Sequence, residues 1–230
     1  MKREHKSRER FFWILISALI IIMGAIYLLK FQKPTSDIKI YVANEGDGTI
    51  SVIDSQSLDV IKTIKLDGMP HNINLDPLGR YFYATNHEGE EEEDEHGGHI
   101  PYLRILDAKT NKLLKSIEME EMAAHVVPGR DGNNVYVSIE GGNSIVEVDI
   151  NQGKIIRSFE SGEGPHGFVL SNSNRKLYVP NMKSNDISIV NLEDGIEERL
   201  NIQLQNFNCE TPVAMGITND DKHSFVTCGK

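Results

Sequence analysis

The sequence lacks the composition and the motifs of several large protein classes. Its 230 residues include only two cysteines, which excludes a disulfide-dense miniprotein and any multi-cysteine zinc or iron–sulfur framework. Acidic residues outnumber basic ones by 34 to 24, and a formal charge of −10 excludes nucleic acid as an expected partner. There is no Gly-x-Ser-x-Gly elbow, no phosphate-binding loop and no His-Glu-x-x-His pair. We therefore predict no catalytic residue, and the sequence favours a protein that is not an enzyme.

One long hydrophobic run is present, at residues 11–29, where 19 residues carry no charge. As a helix this run would span roughly 28 Å, about the thickness of one hydrocarbon core. Residues 1–10 have a net charge of +3 and should stay in the cytoplasm. We expect a single-pass anchor in the cell membrane, a linker at 30–37 and an extracytoplasmic domain from 38 onward. A cleaved signal peptide is the alternative, although no small-x-small site follows the run.

A repeat of about 42 residues follows the linker. It is marked by tyrosine- or phenylalanine-led segments at 41–44, 83–86, 136–139, 178–181 and 225–228. Around each segment the alternating hydrophobic pattern and the turn formers predict four short strands, which we call A, B, C and D. Four strands per fixed period predict an all-β chain of β-propeller blades, whereas a β-sandwich would not require the period.

The units resemble the YVTN-type β-propeller repeat family. The resemblance rests on Pro70-His71, Tyr83-Ala-Thr-Asn86, Tyr178-Val-Pro-Asn181 and Ser51-Val-Ile-Asp54. It implies a propeller over residues 38–230 with about 4.6 units, an incomplete part of a seven-bladed ring. Propellers of this type are similar to surface-layer proteins, binding proteins and enzyme domains alike, so the resemblance identifies the fold more than the function.

Three histidines begin strand A in successive units, namely His71, His125 and His166. Strand A is the innermost strand of a blade, so these side chains are expected to rim the mouth of the central channel. Val213 holds the matching place in the next unit. The pattern predicts a binding site at the channel mouth, while histidines that only hydrogen-bond neighbouring loops remain the alternative.

An acidic loop in the second unit, residues 87–99, lies on the same predicted face. Its candidate metal ligands are three histidines and three carboxylates: His87, His96, His99, Glu91, Glu92 and Asp94. Imidazoles suit copper, zinc and nickel, whereas carboxylates suit harder cations, so the cofactor is predicted only as copper or another divalent metal. A solvated run of charge is the alternative for this loop.

The two cysteines, Cys209 and Cys228, also lie toward the histidine face and predict a disulfide outside the cell. Two free thiolates that join a copper site are the alternative. We predict a membrane-anchored module that binds an extracytoplasmic protein or a small molecule. The second hypothesis is an oxidoreductase-related propeller with metal or haem over the channel, as the resemblance to the propeller domains of nitrous oxide reductase and haem-type nitrite reductase implies.

Overall fold

The computed structural model describes Trp13 and residues 15–23, 38–87, 100–202 and 209–229. The chain divides into two compact regions, the first of residues 1–40 with 53–61 and the second of residues 41–52 with 62–230. In the first region Trp13 and residues 15–23 are helical. Within the described ranges, no helix combines the length and the hydropathy that crossing a membrane requires. The predicted tail, the linker and much of the predicted anchor lie outside these ranges, so the anchor stays a prediction.

The described strands form five antiparallel sheets in chain order. The first sheet contains β1 (Lys39–Asn44), β2 (Thr49–Asp54) and β3 (Val60–Lys65), with a short 3-10 helix (Glu45–Asp47) between the first two strands. The second contains β4 (Met69–Leu75), β5 (Tyr81–His87), β6 (Tyr102–Asp107) and β7 (Leu113–Glu118), and the third contains β8 (Ala123–Pro128), β9 (Asn134–Ile139), β10 (Ser144–Asp149) and β11 (Lys154–Glu160). The fourth contains β12 (Val169–Leu170), β13 (Lys176–Asn181), β14 (Asp186–Asn191) and β15 (Glu197–Asn201), and the fifth contains β16 (Pro212–Ile217) and β17 (Ser224–Cys228).

Each complete sheet is a meander whose strands pair in the order A, B, C and D, as the repeat predicts. The turn between C and D forms because an aspartate at the end of C accepts hydrogen bonds from the turn. Asp107 Oδ1 accepts from the Thr110 amide at 2.6 Å, and Asp149 Oδ1 accepts from the Gln152 amide at 2.8 Å. Such local bonds favour turns over continued strand. The four-stranded units of the sequence prediction are therefore confirmed.

The hydrophobic core of the second compact region lies between neighbouring sheets. One buried cluster joins the second and third sheets through side chains such as Leu103, Ile105 and Val137. Another joins the third and fourth sheets through Ile145, Phe168 and Val179. Face-to-face packing of successive four-stranded sheets is the architecture of a propeller.

One predicted strand is shorter than expected. The sequence predicts strand A of the fourth unit over residues 166–170, but β12 contains only Val169 and Leu170. Pro165 and His166 still bond to β13, since Pro165 bridges Asn181 and the His166 amide donates to the Pro180 carbonyl at 3.1 Å. Gly167 instead forms a parallel bridge to Ala214 in β16, so strand A is interrupted between its histidine and Val169.

Candidate functional site

The three predicted channel-mouth histidines lie together in the second compact region. His71 belongs to β4, His125 belongs to β8, and His166 precedes β12. Their ring centroids are 5.3 Å apart for His71 and His125, 5.4 Å for His71 and His166, and 4.5 Å for His125 and His166. All three residues are half-buried. Three successive sheets thus bring one imidazole each to a single cluster, which we call the histidine cluster.

Local irregularities of the inner strands place these side chains. In β4, Pro70 pairs with Asn86 and Asn72 with Thr85, so His71 is the extra residue of a bulge. The register of β8 also shifts between Ala123 and Val126, on either side of His125. A bulge turns the affected side chain away from the regular alternation, and bulges are common beside functional sites.

The spacing of the histidine cluster fits one metal ion. A ring nitrogen of each histidine lies within 4.8 Å of the other two. Some point is therefore no more than about 2.8 Å from all three nitrogens, against the roughly 2.0–2.1 Å of a zinc–imidazole bond. Shifts of less than about 1 Å in each ring would complete the coordination.

Hydrogen bonds fix the tautomer of two of the rings. Nδ1 of His71 lies 2.9 Å from Oε1 of Glu45, and Nδ1 of His166 lies 3.1 Å from the carbonyl oxygen of Val213. A carboxylate and a carbonyl only accept, so Nδ1 carries the hydrogen in both rings. In the neutral form of such a ring the lone pair lies on Nε2. Metal-binding histidines almost always have such a partner on their other nitrogen.

Burial is the main reason that the pKa of His166 lies below its ordinary value. A positive charge on His71 would lower this pKa further, while the bond to Val213 and the carboxylates of Glu140 and Glu45 oppose the change. His166 is therefore a neutral imidazole near pH 7, the form that binds metals. The two carboxylates supply negative charge beside the cluster, which suits a cation.

Of the predicted ligands in the acidic loop, only the backbone of His87 lies within the described ranges. The backbone of His87 ends β5 and pairs with Met69, two residues before His71. His96, His99, Glu91, Glu92 and Asp94 lie outside the described ranges, so the predicted metal site of the acidic loop stays a prediction.

The two cysteines are joined. Cys209 and Cys228 form a disulfide with a Cα–Cα distance of 5.4 Å, inside the usual range for such bonds. Cys209 is buried, and Cys228 ends β17 and pairs with Pro212 at the start of β16. The structure therefore places both sulfur atoms in this bond and not in the histidine cluster.

Two groups of the site were not predicted from the sequence, namely Glu45 and the carbonyl of Val213. Glu45 follows the tyrosine-led segment of the first unit, in a connection on the predicted histidine face, and this position was its only sequence signal. Val213 breaks the histidine series of the repeat. It contributes a backbone carbonyl to the site, and the type of side chain gives no sign of such a contribution.

A family model described as lactonase, seven-bladed beta-propeller, matches residues 100–216, just over half of the chain. The chain belongs to this family. The match confirms the propeller predicted from the repeat, while the specific YVTN type stays a prediction. In this chain, the histidine cluster comes from residues at or near the start of three successive four-stranded sheets.

Antigen Lp49 of Leptospira interrogans serogroup Icterohaemorrhagiae serovar copenhageni is a curated relative, 29% identical over 163 residues. The match covers 70% of this chain but only 34% of that protein, so this chain spans about a third of its relative's length.

Two solved structures show the same fold at low sequence identity. A functionally unknown protein from Desulfotomaculum acetoxidans DSM 771 has a TM-score of 0.68 and 14% identity, covering 83% of this chain and 59% of that one. Hydrazine synthase of Kuenenia stuttgartiensis has a TM-score of 0.70 and 19% identity, covering 82% of this chain and 58% of that one. These likenesses establish the fold alone.

Proposed function

We propose that this propeller is a binding module that holds one transition-metal ion through His71, His125 and His166. The observation that carries the proposal is the approach of three ring nitrogens, from three successive blades, to within 4.8 Å of one another. Imidazole nitrogen suits zinc, copper and nickel. Two of the rings already have the outer hydrogen bonds of metal ligands.

Three protein ligands leave at least one coordination position for water or another ligand. Zinc sites with three protein ligands are generally of this open kind, whereas structural sites have four. Such a metal would bind an exogenous small molecule or a side chain of a partner protein. Under this proposal, the predicted ligand or partner protein binds at the open coordination position of the metal.

The test is a zinc and copper titration of the full chain in competition with a chromophoric chelator. We expect one ion per chain for the wild type, and loss of that site when His71, His125 and His166 are all changed to alanine. His223→Ala is the matched control, since this histidine follows the turn between β16 and β17, outside the histidine cluster, and should bind like the wild type.

A second chain, with residues 88–99 replaced by a glycine–serine linker, tests the acidic loop separately. If the linker chain loses the tight site and the triple alanine variant keeps it, the loop holds the metal and the proposal is wrong. The oxidoreductase hypothesis is tested on the copper-loaded protein, where a reversible one-electron couple that disappears in the triple variant would support it.

We also infer that the module is held at the membrane with its propeller outside the cytoplasm. The basic residues before the hydrophobic run support this orientation, and the Cys209–Cys228 disulfide is typical of oxidising compartments. Resistance to carbonate extraction, together with protease access to the propeller in intact cells, tests the inference. Recovery in the soluble fraction would contradict it.

A further inference from the structure

The hairpin of β16 and β17 contributes a backbone group to the histidine cluster. Pro212 pairs with Cys228 and Ala214 with Thr227, so Val213 is the extra residue of a bulge in β16. Its carbonyl accepts from the Gly167 amide at 2.9 Å and is 3.1 Å from Nδ1 of His166. The bulge therefore turns this carbonyl toward the fourth sheet.

The approach of the two segments is close and depends on glycine. The Met215 amide donates to the Gly167 carbonyl at 2.9 Å, so Gly167 is bonded to β16 on both sides. A Cβ atom at Gly167 would lie 2.9 Å from the Val213 oxygen and 3.0 Å from the Ala214 Cβ. The orientation of His166 thus depends on the position of β16.

The Cys209–Cys228 disulfide holds β16 at the end nearest the histidine cluster. Cys228 is the direct pairing partner of Pro212, the residue before Val213, and the Gly229 amide donates to the Thr211 carbonyl at 2.9 Å. The covalent bond thus lies beside the residue whose carbonyl contacts His166.

We propose that the disulfide-linked hairpin is a positioning element of the metal site, so that opening the Cys209–Cys228 bond weakens metal binding. This inference rests on the proposed function. With the bond closed, the Val213 carbonyl keeps the hydrogen of His166 on Nδ1 and its Nε2 lone pair toward the metal. With the bond open, β16 moves and His166 loses that partner.

The bond is opened by a dithiol. The dithiol gives two electrons and two protons, the S–S bond breaks to leave two thiols, and the dithiol becomes a disulfide. Zinc has no redox chemistry, so a bound zinc ion would keep its oxidation state in this step. Weaker binding of the ion follows from the changed position of His166.

The experiment compares zinc affinity in the wild type and in the Cys209→Ser/Cys228→Ser chain, since serine removes the bond without leaving thiolates that would bind zinc. We expect about 10- to 100-fold weaker binding, the usual effect of losing an outer-shell partner. In a His166→Ala background the cysteine changes should have no further effect, whereas in a Glu45→Gln background their effect should persist.

Amide hydrogen exchange gives a second measurement in the metal-free protein. The Gly167 amide should exchange faster when the disulfide is absent, while amides of β10 in the third sheet should not change. Faster exchange throughout the protein would overturn the inference, because the effect would then be global unfolding. If the serine chain does not fold, Gly167→Ala keeps the disulfide and must weaken zinc binding at least about tenfold.

The two proposals fail in different ways. A wild type that binds no zinc refutes the metal function itself. A wild type that binds zinc with the same affinity as the folded serine chain refutes only the positioning role of the disulfide.

Discussion

The close contact between Gly167 and β16 leads to a quantitative prediction for Gly167→Ala. The added Cβ would meet three atoms of β16 between 2.9 and 3.1 Å, two of them backbone atoms. Backbone cannot move aside as the end of a flexible side chain can. The two segments must therefore separate.

The expected cost has two parts. Forcing an extra carbon into a packed site costs about 1–3 kcal/mol, and each of the two backbone hydrogen bonds contributes about 1 kcal/mol. Since separation relieves part of the overlap, we expect a loss of about 2–4 kcal/mol in the free energy of opening β16 from the fourth sheet. At about 1.4 kcal/mol per factor of ten, the Met215 amide should exchange about 30 to 700 times faster.

Gly216→Ala is the matched control, since it lies in the same strand and a Cβ there meets nothing within 4 Å. Its amide exchange should stay close to that of the wild type. Equal exchange of Met215 in the two variants would refute the reasoning, because the hydrogen bonds would then tolerate the added carbon.

Three further predictions concern single residues. Glu45→Ala should weaken zinc binding about tenfold or more in the chelator competition, because His71 loses the acceptor for Nδ1, and unchanged affinity would show that this contact is incidental. Arg80→Leu should lower the free energy of urea unfolding by about 1–3 kcal/mol, since the buried carboxylate of Asp76 loses its bonds to the partly exposed guanidinium and keeps only backbone amide donors, and a loss under about 0.5 kcal/mol would contradict this. Burial alone would raise the pKa of Asp76, but the hydrogen bonds and charge of Arg80 lower it, so the stability it contributes is present above about pH 4 and is lost as the pH falls further. Asp76→Asn should therefore reduce the acid-induced loss of stability below pH 4, and an unchanged pH profile would argue against the assignment.

Much of the fold could be predicted from the sequence because each strand repeats a local pattern. Strands C of the first four sheets end at Asp54, Asp107, Asp149 and Asn191, where the alternating segments of the sequence end. The inner strand of the fourth sheet was less predictable. Its first residues bond to β16, a contact between segments about 47 residues apart that no local pattern records.

The histidine cluster was predictable in part for the same reason. His71, His125 and His166 occupy equivalent positions of the repeat, and equivalent positions of neighbouring blades lie side by side. The repeat does not specify the bulges that turn the rings together. Nor could it indicate that Val213, which breaks the histidine series, would provide a carbonyl for His166.

X-ray absorption spectroscopy of the zinc-loaded full chain tests the central claim most directly. We expect three imidazole nitrogens at about 2.0–2.1 Å and at least one further light-atom ligand, a pattern lost in the triple alanine variant. A first shell of sulfur, or of carboxylate oxygen with fewer than two imidazoles, would contradict the account.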